Sequence, residues 1–170
     1  MEKSPDRYVV IYTDGACLGN PGPGGYGVVL LSGGKRKELS GGFRLTTNNR
    51  MELMAAIAGL EALKEPSRVR LYSDSRYMVD SYTNGAAKRW QVNGWMREKK
   101  QSAQNVDLWE RLLTLCARHR VEMEWLEGHA GDKENERCDR LSNQAARRSP
   151  LPVDEAYEKG ETRQSSNALF

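Results

Sequence analysis

The chain has 170 residues, 38% hydrophobic and 29% charged, a balance that excludes a disordered polymer and lets one domain with a small appendage bury a substantial core. No stretch approaches the length of a membrane-spanning helix, and the charged start "MEKSPDRY" lacks the apolar run of a signal peptide, so a cytoplasmic protein with no membrane partner is expected. The formal charge of +3 is uneven: residues 151–170 carry Lys159 and Arg163 against Asp154, Glu155, Glu158 and Glu161, which leaves a basic body suited to an anionic partner.

Residues 7–13 are apolar on both faces, with Tyr8, Val10 and Tyr12 on one and Val9 and Ile11 on the other, the pattern of a central strand. "NPGPGG" (Asn20 to Gly25) is turn chemistry leading into a second strand, "YGVVLL"; "SGGK" is a hairpin turn, and "RKELSGGFRL" a third strand whose doubled glycine predicts a bulge. "TTNNRMELMAAIAGLEALKE" predicts a helix capped by Thr47 or Asn48 and stopped by Pro66, with Ala55, Ala56 and Gly59 as a small-residue face for close packing on a sheet. Val69 to Ser73 is the fourth strand, "SRYMVDSYTNG" a helix ending near Gly85, and residues 86–104 an irregular or partly helical basic and aromatic segment. "NVDLWERLLTLCARH" is an amphipathic helix, "VEMEWLE" a fifth strand, and "DKENERCDRLSNQAARR" the last helix, with Cys138, Leu141 and Ala145 on its buried stripe. The order implies a mixed α/β layer architecture in which the meander of three strands crosses over, through a helix, to a parallel fourth strand. Residues 1–149 form the expected domain and 150–170 a tail.

Two strands end alike: "VVIYTDG" reaches Asp14 and "VRLYSDS" reaches Asp74. Side chains alternate along a strand, so Tyr12 shares a face with Asp14 and Tyr72 with Asp74. Were the two strands parallel neighbours in register, the carboxylates would lie roughly 5 Å apart at the strand spacing. Two bare carboxylates so close repel, and a divalent cation such as Mg2+ removes the conflict. Either aspartate alone reads more readily as a turn or helix cap than as a metal ligand, and it is the repetition that favours the second reading. Glu52, near the start of a helix among residues that should be buried, and Asp139, at the edge of the last helix's buried stripe, add two more acids. His129 stands in a glycine-flanked loop, a position better suited to moving protons than to packing a core. The three cysteines, Cys17, Cys116 and Cys138, are odd in number and widely spaced, as reduced thiols are; a zinc site of Cys116, His129 and Cys138 would lack any paired spacing to support it.

The blocks "YTDGACLGNPGPGGYG", "TTNNRMELMAAIAGLEAL", "YSDSRYMVDS", "NVDLWERL" and "GHAGDKENERCDRLSNQAA", in this order, resemble bacterial ribonuclease H of the type-one branch from about Arg7 to Arg148. The resemblance implies a mixed five-stranded sheet, the first three strands antiparallel and the first and fourth parallel, with helices on both faces. It implies an endonuclease that cuts the RNA strand of an RNA–DNA hybrid by a two-metal-ion mechanism and leaves 5′-phosphate and 3′-hydroxyl ends. Asp14, Glu52, Asp74 and Asp139 would hold two Mg2+ ions, with Mn2+ as the alternative, and His129 would assist as the family's mobile histidine. Cys17, Asn20, Asn48 and Arg76 would meet the two strands of the hybrid, and Thr47 and Asn105 a phosphate or sugar of the DNA strand. Arg76 departs from the glutamine common in relatives. "AAKRWQVNGWMREKK" resembles the family's basic handle: Lys88, Arg89, Arg97, Lys99 and Lys100 outnumber Glu98, and Trp90 and Trp95 could rest on deoxyribose or pack a core. Two rival readings remain, a non-catalytic hybrid-binding module and another nuclease on the same fold. No interface motif is visible, so a monomer is expected.

The tail lies outside the resemblance. Its polar, acidic composition predicts disorder, yet "DEAYEKG" could form one helical turn with Asp154 as cap and Gly160 as stop. Val153 and Tyr157 would then pack on the body and Leu169 and Phe170 form a terminal anchor, so that losing the tail lowers stability and leaves catalysis intact.

Overall fold

The computed structural model describes residues 7–96 and 102–162. Five strands, β1 (Tyr8–Cys17), β2 (Gly22–Ser32), β3 (Lys35–Thr46), β4 (Arg68–Ser73) and β5 (Arg120–Trp125), form one sheet in the order β3-β2-β1-β4-β5. The short turns make β1–β2 and β2–β3 antiparallel, whereas β1–β4 and β4–β5 are parallel and each needs a crossover. The helices are α1 (Asn48–Glu61), α2 (Arg76–Thr83), α3 (Ala86–Val92), α4 (Val106–Arg118), α5 (Lys133–Ala146) and a single turn, α6 (Glu155–Glu158).

Alternation along the strands sorts the helices. Val9 and Ile11 of β1 and Val28 and Leu30 of β2 point to one face, where they join Leu53, Ile57 and Leu60 of α1 in the main core. α4 closes that layer from outside through Leu108, Trp109 and Leu112. On the other face Val29, Tyr12 and Leu31 meet Cys138 and Leu141 of α5. α1 therefore lies between sheet and helix, which is why nine of its fourteen residues are buried. Each fully buried leucine or isoleucine of this core contributes roughly 1.5–3 kcal/mol relative to an exposed one.

The caps follow the sequence. Thr47 Oγ1 accepts from the Arg50 amide, and Asp132 caps α5 by accepting from Asn135. α1 stops at Glu61, before Pro66, with Ala62 at its C-cap. The doubled glycine does not form a bulge: Gly41 and Gly42 pair in unbroken register with Tyr26 and Gly25, and the irregularity lies further along, between Gly22 and Gly24. The glycines are needed for room, because a Cβ on Gly41 would stand 2.3 Å from the Tyr26 hydroxyl oxygen.

The segment after α5 is held by polar contacts. Asp154 caps α6 and is itself buried against Arg50 and Thr46, while Arg44 forms a two-pronged ion pair with Glu158. Val153 and Tyr157 are only half-buried, so the anchor is a carboxylate where an apolar pair was expected. Leu169 and Phe170 lie outside the described residues.

Candidate active site

β1 and β4 run parallel with Val10 beside Arg70, Ile11 beside Leu71 and Tyr12 beside Tyr72. The Tyr12 and Tyr72 rings stack at 4.9 Å, so the shared face expected from parity is present. Two residues further along, the same register carries both aspartates past the last β1–β4 pair: Asp74 follows the end of β4, whereas β1 does not end at Asp14 as the sequence suggested but runs on to Cys17, with Asp14 opposite Gly27 of β2. Glu52 reaches them from the first turns of α1, and carboxylate oxygens of Asp14, Glu52 and Asp74 all lie within 4.8 Å of one another. Asp139 of α5 and His129 of the β5–α5 loop line the same cleft of about 360 Å3.

Two glycines permit this approach. A Cβ on Gly15 would stand 2.5 Å from the Glu52 amide nitrogen, so only glycine lets the start of α1 press against β1. A Cβ on Gly128 would stand 2.6 Å from Asp74 Oδ2, so the loop that carries His129 passes directly over the second aspartate. His129 adopts a left-handed backbone, φ 58°, and is exposed.

The electrostatics are those of a site short of positive charge. Burial, then the neighbouring Asp74 charge, pushes the Asp14 carboxyl up to about 8. Burial, then Asp14 and Asp74, pushes Glu52 well above the carboxylate range, and burial also raises Asp74. Glu52 is 4% exposed, and its Oε2 is buried with no hydrogen-bond partner. Acids gathered this closely, with one oxygen left unsatisfied, suit a hard divalent cation bound through carboxylate oxygens. Among the described residues no other group of three or more such side chains could hold a metal. Cys116 and Cys138 fall in core clusters on opposite faces of the sheet, which removes the zinc alternative.

Of the other expected residues, Asn48 and Arg76 line the same cleft. Asn20 Oδ1 accepts from the Asn48 amide at 3.1 Å, which ties the β1–β2 turn to the start of α1 beside Thr47. The Cys17 thiol points at the carbonyls of Gly19, Gly22 and Thr46. Arg76 lies with its guanidinium 3.8 Å from the Trp125 ring centroid, and the Trp125 indole N–H donates to the Asp74 carbonyl at 3.1 Å. Asn105 is buried, with a left-handed backbone and its side chain already engaged by Arg50 and Tyr77. Trp90 is half-buried, edge-on to Trp109, and Trp95 is 8% exposed and part of the main core, so of the two roles open to it the structure places it in packing. Lys99, Lys100 and Arg97 lie outside the described residues.

Sequence reasoning missed Trp125 and Arg50. Trp125 ends an exposed strand face and nothing local marks it. Arg50 had a signal: like Glu52, it is a charge set among the apolar residues of α1, and a charge so placed must find partners inside.

A ribonuclease H family model matches residues 6–147 of this chain. The chain belongs to the ribonuclease H family. It is 63% identical over 155 residues to Ribonuclease H of Syntrophus aciditrophicus, covering 91% of this chain and 90% of that one. To Ribonuclease HI of a Synechocystis species it is 59% identical over 160 residues, 94% of this chain and 99% of that one. Among solved structures it is similar to LC9-RNase H1, described as a type 1 RNase H with the type 2 active-site motif, with a TM-score of 0.75 and 33% identity over 98% of this chain and 86% of that one. RNase H1 of Halobacterium salinarum is a further likeness, with a TM-score of 0.58 and 29% identity over 81% of this chain and 96% of that one. Ribonuclease H enzymes are metal-dependent hydrolases, and in this member Asp14 of β1, Glu52 of α1, Asp74 just after β4 and Asp139 of α5 line one cleft.

Proposed function

We propose that this ribonuclease H hydrolyses the RNA strand of RNA–DNA hybrids with Mg2+ as its metal, in the cytoplasm and as a monomer. The observation that carries the reading is the convergence of Asp14, Glu52 and Asp74 within 4.8 Å, in a chain whose family match spans nearly all of the domain. Asp14, Glu52, Asp74 and Asp139 would hold the ions through their carboxylate oxygens. Bound there, the ions would neutralise the scissile phosphate and lower the pKa of an attacking water. His129 stands over Asp74 on its loop and would carry a proton from the attacking water or to the leaving 3′-oxygen. Cys17, Asn20, Asn48 and Arg76 would read the 2′-hydroxyls and the shape of the hybrid; Thr47, Asn105, Trp90, Lys99 and Lys100 would grip the DNA strand.

Replacement of His129 by alanine should slow turnover by roughly 10²–10⁴-fold without abolishing it. A pH series of turnover rates checks this: unchanged rates throughout would remove the shuttle.

The reading as a whole is tested by incubating the protein with uniform RNA–DNA, RNA–RNA and DNA–DNA duplexes, with Mg2+, with Mn2+ and with neither. Cleavage of the hybrid alone, and only with metal, is expected. Binding without cleavage would favour a hybrid-binding module, and cleavage of DNA duplexes another nuclease on this fold.

A further inference from the structure

The segment after α5 reaches the residues assigned above to the DNA strand. Asp154, 6% exposed, accepts from Arg50 Nε at 2.8 Å, from Arg50 Nη2 at 2.9 Å and from Thr46 Oγ1 at 2.8 Å. Arg50, 1% exposed, spends its remaining donors on Asp107, at 2.8 and 2.7 Å, and on Asn105 Oδ1 at 3.4 Å. Every N–H direction of the guanidinium is therefore used. Asn105 passes the network on from Nδ2 to the Tyr77 hydroxyl, which also accepts from the Trp109 indole. The backbone is tied at two further points: the Pro152 carbonyl accepts from the Arg44 amide, and the Thr162 carbonyl accepts from the Val106 amide at the first residue of α4.

The segment thus bridges the end of β3, the first turn of α1 and the start of α4. These are the places that carry Thr47 and Asn105. Asn105 holds a left-handed backbone conformation, which an asparagine tolerates only at some cost and which its surroundings must maintain. Two groups that meet one phosphate or sugar bind well only if the distance between them is already set, because ordering them on binding costs affinity.

We propose that residues 150–162 act as a strap that sets Thr47 against Asn105, with Asp154 and Arg50 as positioning residues for the grip on the DNA strand. This rests on the reading of Thr47 and Asn105 given above. Asp14, Asp74 and Asp139 are placed without the strap, by the β1–β4 register and the packing of α5 on the sheet, and Glu52, although it shares α1 with Arg50, is pressed against β1 at Gly15. Loosening the strap therefore weakens hybrid binding and spares the chemical step, contrary to a tail that contributes stability alone.

The test uses Asp154→Ala and Asp154→Asn in the full chain, assayed where each is folded by circular dichroism. Val9→Ala, in the core and away from the residues assigned to the hybrid, serves as a control that loses stability without touching the strap. Asp154→Ala should raise KM for the hybrid about tenfold and leave kcat within about twofold, with a smaller rise for Asp154→Asn and none for Val9→Ala. In hybrids with a single neutral methylphosphonate moved along the DNA strand, the wild type should lose affinity at a phosphate where Asp154→Ala loses less. Unchanged KM in folded Asp154→Ala, or an equal rise in Val9→Ala, overturns the strap. If Asp154→Ala does not fold, unchanged KM in Asp154→Asn overturns it. A wild type that leaves hybrids uncut would instead overturn the parent reading.

Discussion

Asp14→Asn and Asp74→Asn should each abolish hydrolysis of the hybrid while leaving its binding nearly intact. Both changes keep the shape of the side chain and remove the charge that holds metal. The same changes should stabilise the metal-free protein. Asp14 has a folded-state pKa of about 8, above its ordinary value, so between roughly pH 4 and pH 8 the folded state binds more protons than the unfolded one. Stability from this group therefore falls as pH rises through that window, and the full cost stands above it. Asparagine carries no such cost, and a gain of about 2 kcal/mol would raise Tm by ~4–8 °C for a chain of this size. Melting curves in chelator at pH 5 and pH 8.5 measure it: the gain should be large at the higher pH and small at the lower. Adding Mg2+ should close the gap by stabilising the wild type. Near-wild-type cleavage by Asp74→Asn would end the metal-holding assignment.

Arg50→Ala is expected to be the most damaging substitution outside the acidic cluster. It removes a buried cation and leaves Asp154 and Asp107 facing each other's neighbourhood without their partner. Breaking a buried ion pair from one side costs about 3–5 kcal/mol, a fall in Tm of roughly 6–20 °C here. Arg50→Lys should recover little, because an ammonium cannot fork between two carboxylates and an amide. Acid should mimic the loss. Burial alone would raise the Asp154 carboxyl, but Arg50 and Thr46 hold it below its ordinary value. Its stabilising contribution is therefore complete above the unfolded pKa, near 4, and is lost as pH falls through the lower folded value. A denaturant titration of Arg50→Ala that matches wild type would show the network to be energetically silent.

Much of the fold was legible because its signals are local. Turn chemistry at "NPGPGG" and "SGGK" dictates the meander, and an apolar run capped by Thr47 dictates α1. The tail's single turn was legible too, since Asp154 and Gly160 are a cap and a stop that act within a few residues. The bulge placed at Gly41–Gly42 was an error of the same local reasoning: a glycine pair signals room as readily as irregularity, and here the room is taken by the Tyr26 ring.

The pairing of Asp14 with Asp74 was conditional in the sequence. Parity placed each aspartate on a face, but only the β1–β4 ladder, with Tyr12 beside Tyr72, decided that the two faces are the same and the two ends adjacent. The anchors of the C-terminal segment were not legible at all. Composition marks Asp154 as a solvated cap, and it becomes a buried ligand of Arg50 because β3, α1 and α4 meet around it. Hydrogen bonds along a helix or turn are written in neighbouring residues, so the sequence alone determined the elements, their caps and the residue types available for catalysis. Contacts such as Arg50 with Asp154 join residues far apart in the chain, and a charge at such a position reads as surface until packing excludes water from it; those contacts only the tertiary structure could decide.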